Sequence, residues 1–403
     1  PASQAANPAS WEAVLWHEFC HVVTLSLTRN KMPRWLSEGI SVFEERNANP
    51  AWGQAMTPRY REMILDEELT PIAELSGAFL TPKDGLHLQF AYYESSLVVE
   101  FLVDRFGLES LKRILVDLGK GRAINETIEA HTAPMKKLEK DFEEFAQKRA
   151  EELGHGLDWE RHETPEFAAA TGERGEDSAA LDKTMEKYPK NFWLLTQKAK
   201  KLLAQKRWEE AKAPAQTLIE HYPEQTGADN AYVLLAAAHR GLNETNLERQ
   251  ALNKLALLDA DAVEAYLRLM ELTSAARDWP AVITNAERFL AVNPLLPAPH
   301  RFLGRASEEL GRPKEAITSY ETMLRMDPAD VTDVHFRLAK LLHAENNPAA
   351  RRHILQALEE APRFREAHRL LLGIVQKTGG NPESAHGSAP LSPAPTPPPI
   401  KQP

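Results

Sequence analysis

Two histidines four residues apart, with a glutamate directly after the first, stand in "WHEFCHVV": His17, Glu18 and His21. On a helix, residues i and i+4 project from one face about a turn apart, as two imidazoles on one zinc ion require. Glu18 is rotated by about 100° from His17, so it could stand beside a metal as a base for an attacking water. The competing reading is a pair of core histidines bonded to backbone or carboxylate. Downstream, "MPRWLSEGISVFEE" carries Glu38, 17 residues after His21, with Gly39 beside it to permit close helix approach. Catalytic zinc takes three protein ligands and keeps one position open. An acidic group on so apolar a segment needs a partner, and a zinc held by the first helix is a natural one. Glu44 and Glu45 are expected at a solvated helix end, although Glu45, seven after Glu38, shares its face and could support the ligands from behind.

The elements that must position these groups read as helices. Ser10 is a suitable N-cap for a helix running to about Leu27. Val14, Leu15, Trp16, Phe19, Val22, Val23 and Leu25 cover most of its circumference, which predicts a buried helix. The second helix opens at Pro33 and carries Trp35, Leu36, Ile40, Val42 and Phe43. Strand signals are nearly absent, and helical periodicity continues from Ser10 to about Gln376. The fold class is therefore mainly α.

The combination "HEFCH…PRWLSEGIS" resembles the gluzincin, or peptidase MA-like, zinc metallopeptidases, relatives of thermolysin and aminopeptidase N. The resemblance implies one Zn(2+) ion, held by His17, His21 and Glu38, with Glu18 as catalytic base. The metzincin pattern would need a glycine and a third histidine where Thr24 and Leu27 stand. "FAYYESSLVVEFLVDRFG" resembles the helix whose tyrosine steadies the oxyanion in the same branch. Aligning Ser95 and Ser96 with that family's small pair puts Tyr92 in the role, with Tyr93 as close competitor and core packing as the bland alternative. His87, in "DGLHLQF", is expected in a loop. The related aminopeptidases have an upstream substrate-binding strand, whereas the 16 residues before His17 contain nothing like it. The domain is therefore expected to be N-terminally truncated here, with exo- or endopeptidase action undetermined.

A second pattern begins at Phe192. Pro294, Pro328 and Pro362 recur at a step of 34, with Ala260 one step earlier. Gly304, Ala316 and Tyr320 precede Pro328 by 24, 12 and 8 residues, and Ala199 and Ala211 are again twelve apart. Small residues let paired helices approach, and proline ends the second helix of each pair. The register resembles the tetratricopeptide repeat, in five units plus a lone helix from Arg365 to Gln376. The resemblance implies an α-solenoid whose concave face recognises a protein partner. The expected division is a peptidase-like domain over 1–152, a polar linker over 153–190 that lets the halves move independently, repeats over 191–377, and a disordered Pro-rich tail over 378–403.

Composition excludes several alternatives. A formal charge of −10 offers no basic surplus for nucleic acid. A single cysteine, Cys20, rules out an internal disulfide and a Cys-based zinc cluster. No apolar run of about 18 residues predicts a membrane span. The sequence starts at Pro1 without initiator methionine or signal peptide, and is expected to be part of a longer chain. Its compartment is unknown; the alternative is an exported protein of a bacterial cell envelope. The leading expectation is a zinc metallopeptidase acting on a peptide or protein substrate. The alternative is a non-catalytic repeat scaffold with a vestigial zinc domain, and the intact Glu18 favours the enzyme.

Overall fold

The computed structural model describes residues 9–162, 164–171, 178–227 and 229–379, and within them it is helical throughout, apart from one isolated bridge between Asp158 and Asn191. The expected disordered tail lies almost wholly outside the described residues. Eight helices precede residue 153: α1 (Trp11–Thr28), α2 (Arg34–Ala48), α3 (Pro58–Leu65), α4 (Leu75–Leu80), α5 (Gly85–Phe106), α6 (Leu108–Gly119), α7 (Ile124–His131) and α8 (Met135–Glu152). A 3-10 turn, Ile72–Glu74, leads into α4. Trp35, Leu36 and Ile40 of α2 and Leu97, Val98 and Phe101 of α5 are buried in one core. Burial of each such side chain contributes about 1.5–3 kcal/mol.

Two features bring α2 and α5 close enough to form that core. Gly39 faces the backbone of α5, where an added Cβ would lie 2.6 Å from the Ser95 carbonyl oxygen. Ser95 and Ser96, opposite it, are fully buried and small. Asp84 caps α5 by accepting from the His87 backbone N–H. His87 therefore sits in the first turn of a helix, where a loop was expected.

α1 departs from expectation. Its buried positions are Cys20, Thr24 and Thr28. The Thr24 and Thr28 hydroxyls donate back to the carbonyls of Cys20 and Thr24, at 2.8 and 2.9 Å, so burial leaves neither unsatisfied. The large groups Trp11, Leu15, Phe19 and Val22 point to solvent, Val22 being 66% exposed. The helix is thus buried along its small side and exposed along its bulky one. Ser10 supplies no side-chain cap; its backbone N–H donates to Asp261 Oδ1 at 2.7 Å. α1 ends in two left-handed residues, Arg29 and Asn30, whose N–H groups return to Ser26 and Leu25.

The segment expected to be a linker carries α9 (Pro165–Thr171) and α10 (Ser178–Lys187). Trp159 stacks on Phe192 at 4.6 Å, and Asn191 Nδ2 donates to Asp158 Oδ2 at 2.9 Å. The repeats follow as helical hairpins: α11 (Phe192–Ala204) with α12 (Trp208–His221), α13 (Ala231–Gly241) with α14 (Thr245–Leu258), and α15 (Val263–Ala275) with α16 (Trp279–Val292). Then come α17 (Pro297–Glu309) with α18 (Pro313–Leu324), α19 (Val331–Ala344) with α20 (Ala349–Glu360), and α21 (Arg365–Gly379) alone. From Val263 the first helices start 34 residues apart, at 263, 297, 331 and 365, so the register read from the prolines is the register of the fold. Ala316 and Tyr320 are buried, and Gly304 leaves the room that Tyr320 fills.

The chain divides into two compact units, one to Phe302 and one from Leu303. The first contains the eight N-terminal helices and the first three hairpins together. Tyr222 Oη donates to the Met56 carbonyl at 3.2 Å, and the Ala260 N–H to that of Ala51 at 3.2 Å. These contacts join the N-terminal helices to the first repeats within that unit. No helix among the described residues is long and apolar enough to cross a membrane.

Candidate metal centre

α1 and α2 lie side by side and turn their polar groups towards each other. His17 Nε2 is 3.2 Å and His21 Nε2 3.4 Å from Glu38 Oε2. One donor atom from each of the three residues lies within 4.8 Å of the others. All three side chains are partly buried, at 12–19% exposure, so a small ion would still have a route in. The imidazoles meet edge to face, their centroids 4.6 Å apart.

Each ring is fixed from behind. His17 Nδ1 is 2.5 Å from Glu45 Oε1. His21 Nδ1 is 2.8 Å from Ser37 Oγ and 3.3 Å from Ser41 Oγ. Ser41 also donates to the His17 carbonyl at 3.2 Å, tying the two helices together. Hydrogen bonds at Nδ1 orient both Nε2 atoms towards Glu38, the arrangement in which an imidazole presents a lone pair to a metal. Burial lowers the His17 pKa, but the hydrogen bonds to Glu38 and Glu45 outweigh it and raise it to about 9. Burial likewise pushes Glu38 up, and its bonds to His17 and Arg34 bring it below the usual carboxylate range. Two imidazoles and a carboxylate, converging and externally oriented, fit a divalent zinc ion.

The other sequence-predicted residues fall into place unevenly. The Glu18 side chain is exposed on α1 and makes no hydrogen bond or ion pair among the described residues. Tyr92 Oη accepts from Arg34 Nη2 at 2.7 Å, and Arg34 Nε donates to Glu38 Oε1 at 3.1 Å, which links the tyrosine to the triad. Tyr93 instead stacks on Tyr60 at 5.1 Å in the core, where burial pushes its hydroxyl pKa far up. Glu45 is buried and bonded to His17, whereas Glu44 turns its carboxyl to Asn47 and its carbonyl to Trp16 Nε1, at 3.2 Å. His87 pairs with Asp84 and faces Glu68, outside the triad. Arg34, Ser37 and Ser41 were not anticipated; the i, i+4 spacing of Arg34 and Glu38 was the available signal for the first. A second convergent group, Asp158, Glu160 and His162, is engaged structurally: Asp158 accepts from Asn191, and His162 stacks on Tyr188 at 3.8 Å.

Residues 4–147, which contain the whole triad, match the model of the Peptidase MA superfamily. Comparison with curated proteins found no match. Among solved structures, YrrB, described as a TPR protein with an unusual peptide-binding site, is similar at 15% identity over 48% of this chain and 98% of its own, with a TM-score of 0.40. MamA protein is similar at 18% identity over 42% and 93%, with a TM-score of 0.36. A thermophilic TPR protein in Thermus thermophilus is similar at 18% identity over 45% and 97%, with a TM-score of 0.27.

Proposed function

From a chain that joins a peptidase MA-like domain to tetratricopeptide repeats, we propose a zinc-dependent metallopeptidase whose repeats recognise a peptide or protein substrate or partner. We assign the peptidase-like domain to residues 1–152 and the repeats to 191–377. The observation that carries the reading is the convergence of His17, His21 and Glu38, with Glu45 behind His17. Zinc held there would polarise a scissile carbonyl and lower the pKa of water to about 7. Glu18, adjacent to His17 and exposed, takes the proton of the attacking water and returns it to the leaving amine. Tyr92, joined through Arg34 to Glu38, donates its hydroxyl to the developing oxyanion.

Glu18→Gln keeps size and hydrogen-bonding ability but removes the base. It should retain zinc and lower peptide hydrolysis by at least ~100-fold. An unmutated chain that holds zinc yet cleaves no member of a broad peptide library would favour the scaffold reading. Removing residues 303–403 should leave zinc content and short-peptide turnover unchanged while weakening a protein partner, because the second compact unit supplies none of the site residues.

A further inference from the structure

On α5, two residues beyond Tyr92, Glu94 is buried, with 1% exposure. Its Oε1 accepts from the Thr70 backbone N–H at 2.5 Å and the Thr70 side chain also bonds the carboxyl, but its Oε2 has no partner. Buried carboxyl oxygens are rarely left so, because desolvation without a replacement bond is costly. Glu94 also lines a cavity of about 400 Å³ bounded by residues 67–71, the 3-10 turn, α4 and the start of α5. Leu69, Ala78, Phe90 and Ala91 give the cavity an apolar wall. Its charged lining is mostly acidic, with Glu67, Glu68, Glu74 and Glu94 against Lys83 and His87.

Two facts narrow what the cavity can take. His87 Nδ1 is tied to Asp84 at 2.8 Å, while Nε2 faces Glu68 at 3.3 Å without the alignment of a hydrogen bond. These ring nitrogens point to different carboxylates, and the groups that do converge for a metal lie elsewhere among the described residues. A bare divalent ion is therefore the wrong shape of charge. A cation with directional N–H donors and an alkyl stem suits a single carboxyl set just behind an apolar wall.

We propose that this cavity binds an organic cation, an alkylammonium or guanidinium group, with the Glu94 carboxylate as its counter-charge. Burial pushes the Glu94 pKa up to about 8, against the weaker opposing effect of its Thr70 hydrogen bonds. The empty site therefore holds Glu94 protonated at pH 7, and a bound cation takes the place of that proton, which leaves to solvent. The site is independent of the metal centre: Tyr92 and Glu94 are about 200° apart around α5.

The test is calorimetric titration of the full chain with n-butylammonium and with Nα-acetyl-lysine methylamide, which present the same head as a free amine and as a peptide side chain. The tighter of the two identifies the source. Binding should be saturable, release close to one proton at pH 7, and strengthen by up to about tenfold per pH unit until about pH 8. Neutral n-butanol should not bind. Glu94→Gln should weaken binding at least ~10-fold, about one charge-assisted contact, and abolish the proton release. Glu67→Gln, on the exposed rim, should change affinity less than about twofold. Should Glu94→Gln fail to fold, proton release by the unmutated chain and blockage by Ala78→Leu, which fills the cavity, decide the matter. Absence of saturable binding, equal binding by Glu94→Gln, or equal competition by K+ or Mg2+ would overturn the proposal.

Discussion

Two pairs of histidines lie in contact, His17 with His21 along α1 and His335 of α19 with His353 of α20, and their surroundings differ. His17 and His21 are backed by Glu38, Glu45, Ser37 and Ser41. His335 of α19 and His353 of α20 face each other, Nδ1 to Nδ1 at 2.9 Å; Arg352 Nη2 donates to His353 Nε2 at 3.3 Å, and among the described residues no carboxylate is hydrogen-bonded to either ring. Acidic groups lift His17 to about 9. Burial, then the charges of His335 and Arg352, push His353 down to about 4. His17 is arranged to hold positive charge and the second pair to stay neutral, one ring donating to the other. Two histidine pairs at contact distance differ by what stands behind them, carboxylates at the first and an arginine at the second.

The largest expected effect tests that contrast directly. His17→Ala or Glu38→Ala should abolish zinc uptake measured by elemental analysis, while His353→Ala leaves the zinc content unchanged. Zinc loss on replacing His353, or an unmutated chain without zinc, would break the comparison.

The supporting carboxylate comes next. Glu45→Gln should weaken zinc affinity by about 10–100-fold, the usual cost of losing the group that orients a ligating imidazole. Glu44→Gln should have little effect, because its contacts are with Asn47 and Trp16 and not with either imidazole. Competitive chelator titration distinguishes the two, and equal losses would mean that Glu45 merely fills space.

The neutral pair carries a pH signature. With a folded pKa near 4 against an ordinary 6.5, His353 binds fewer protons folded than unfolded between those values. Its contribution to stability is present above pH 6.5 and is lost as pH falls towards 4, on the order of 1–3 kcal/mol. Denaturant melts at pH 7 and 4.5 should show this acid loss reduced in His353→Asn. An identical acid loss in the variant would contradict the assignment of the pair as neutral.

The smallest effects concern helix approach. Gly39→Ala should destabilise by about 1–3 kcal/mol, because the new methyl meets the Ser95 backbone. Gly373→Ala, with open space at the same point on α21, should be neutral or stabilise by up to about 1 kcal/mol. Thermal melts that rank the two the other way would remove the packing role given to Gly39.

The triad and the repeat register were both legible in the sequence because each rests on a short, fixed spacing. His17 and His21 share a face through the 3.6-residue turn, and the 34-residue step needs only the prolines and small residues that end and pair the helices. Side-chain identity alone could not decide which way α1 faces. Apolar residues surround it, and hydrophobicity predicted burial all round, yet the neighbours present accept only the narrow stripe of Cys20, Thr24 and Thr28. Nor could it decide between Tyr92 and Tyr93, adjacent on α5 and therefore about 100° apart. Tyr92 meets Arg34 and Tyr93 meets Tyr60 because of where α2 and α3 pack. The stacking of Trp159 on Phe192 was hidden for the same reason, because it joins residues far apart in the sequence. Spacing along one helix is set by backbone geometry and travels with the sequence. The direction a side chain faces becomes definite only when elements distant in the chain close around it, and here that closure set His17, His21 and Glu38 apart from the core.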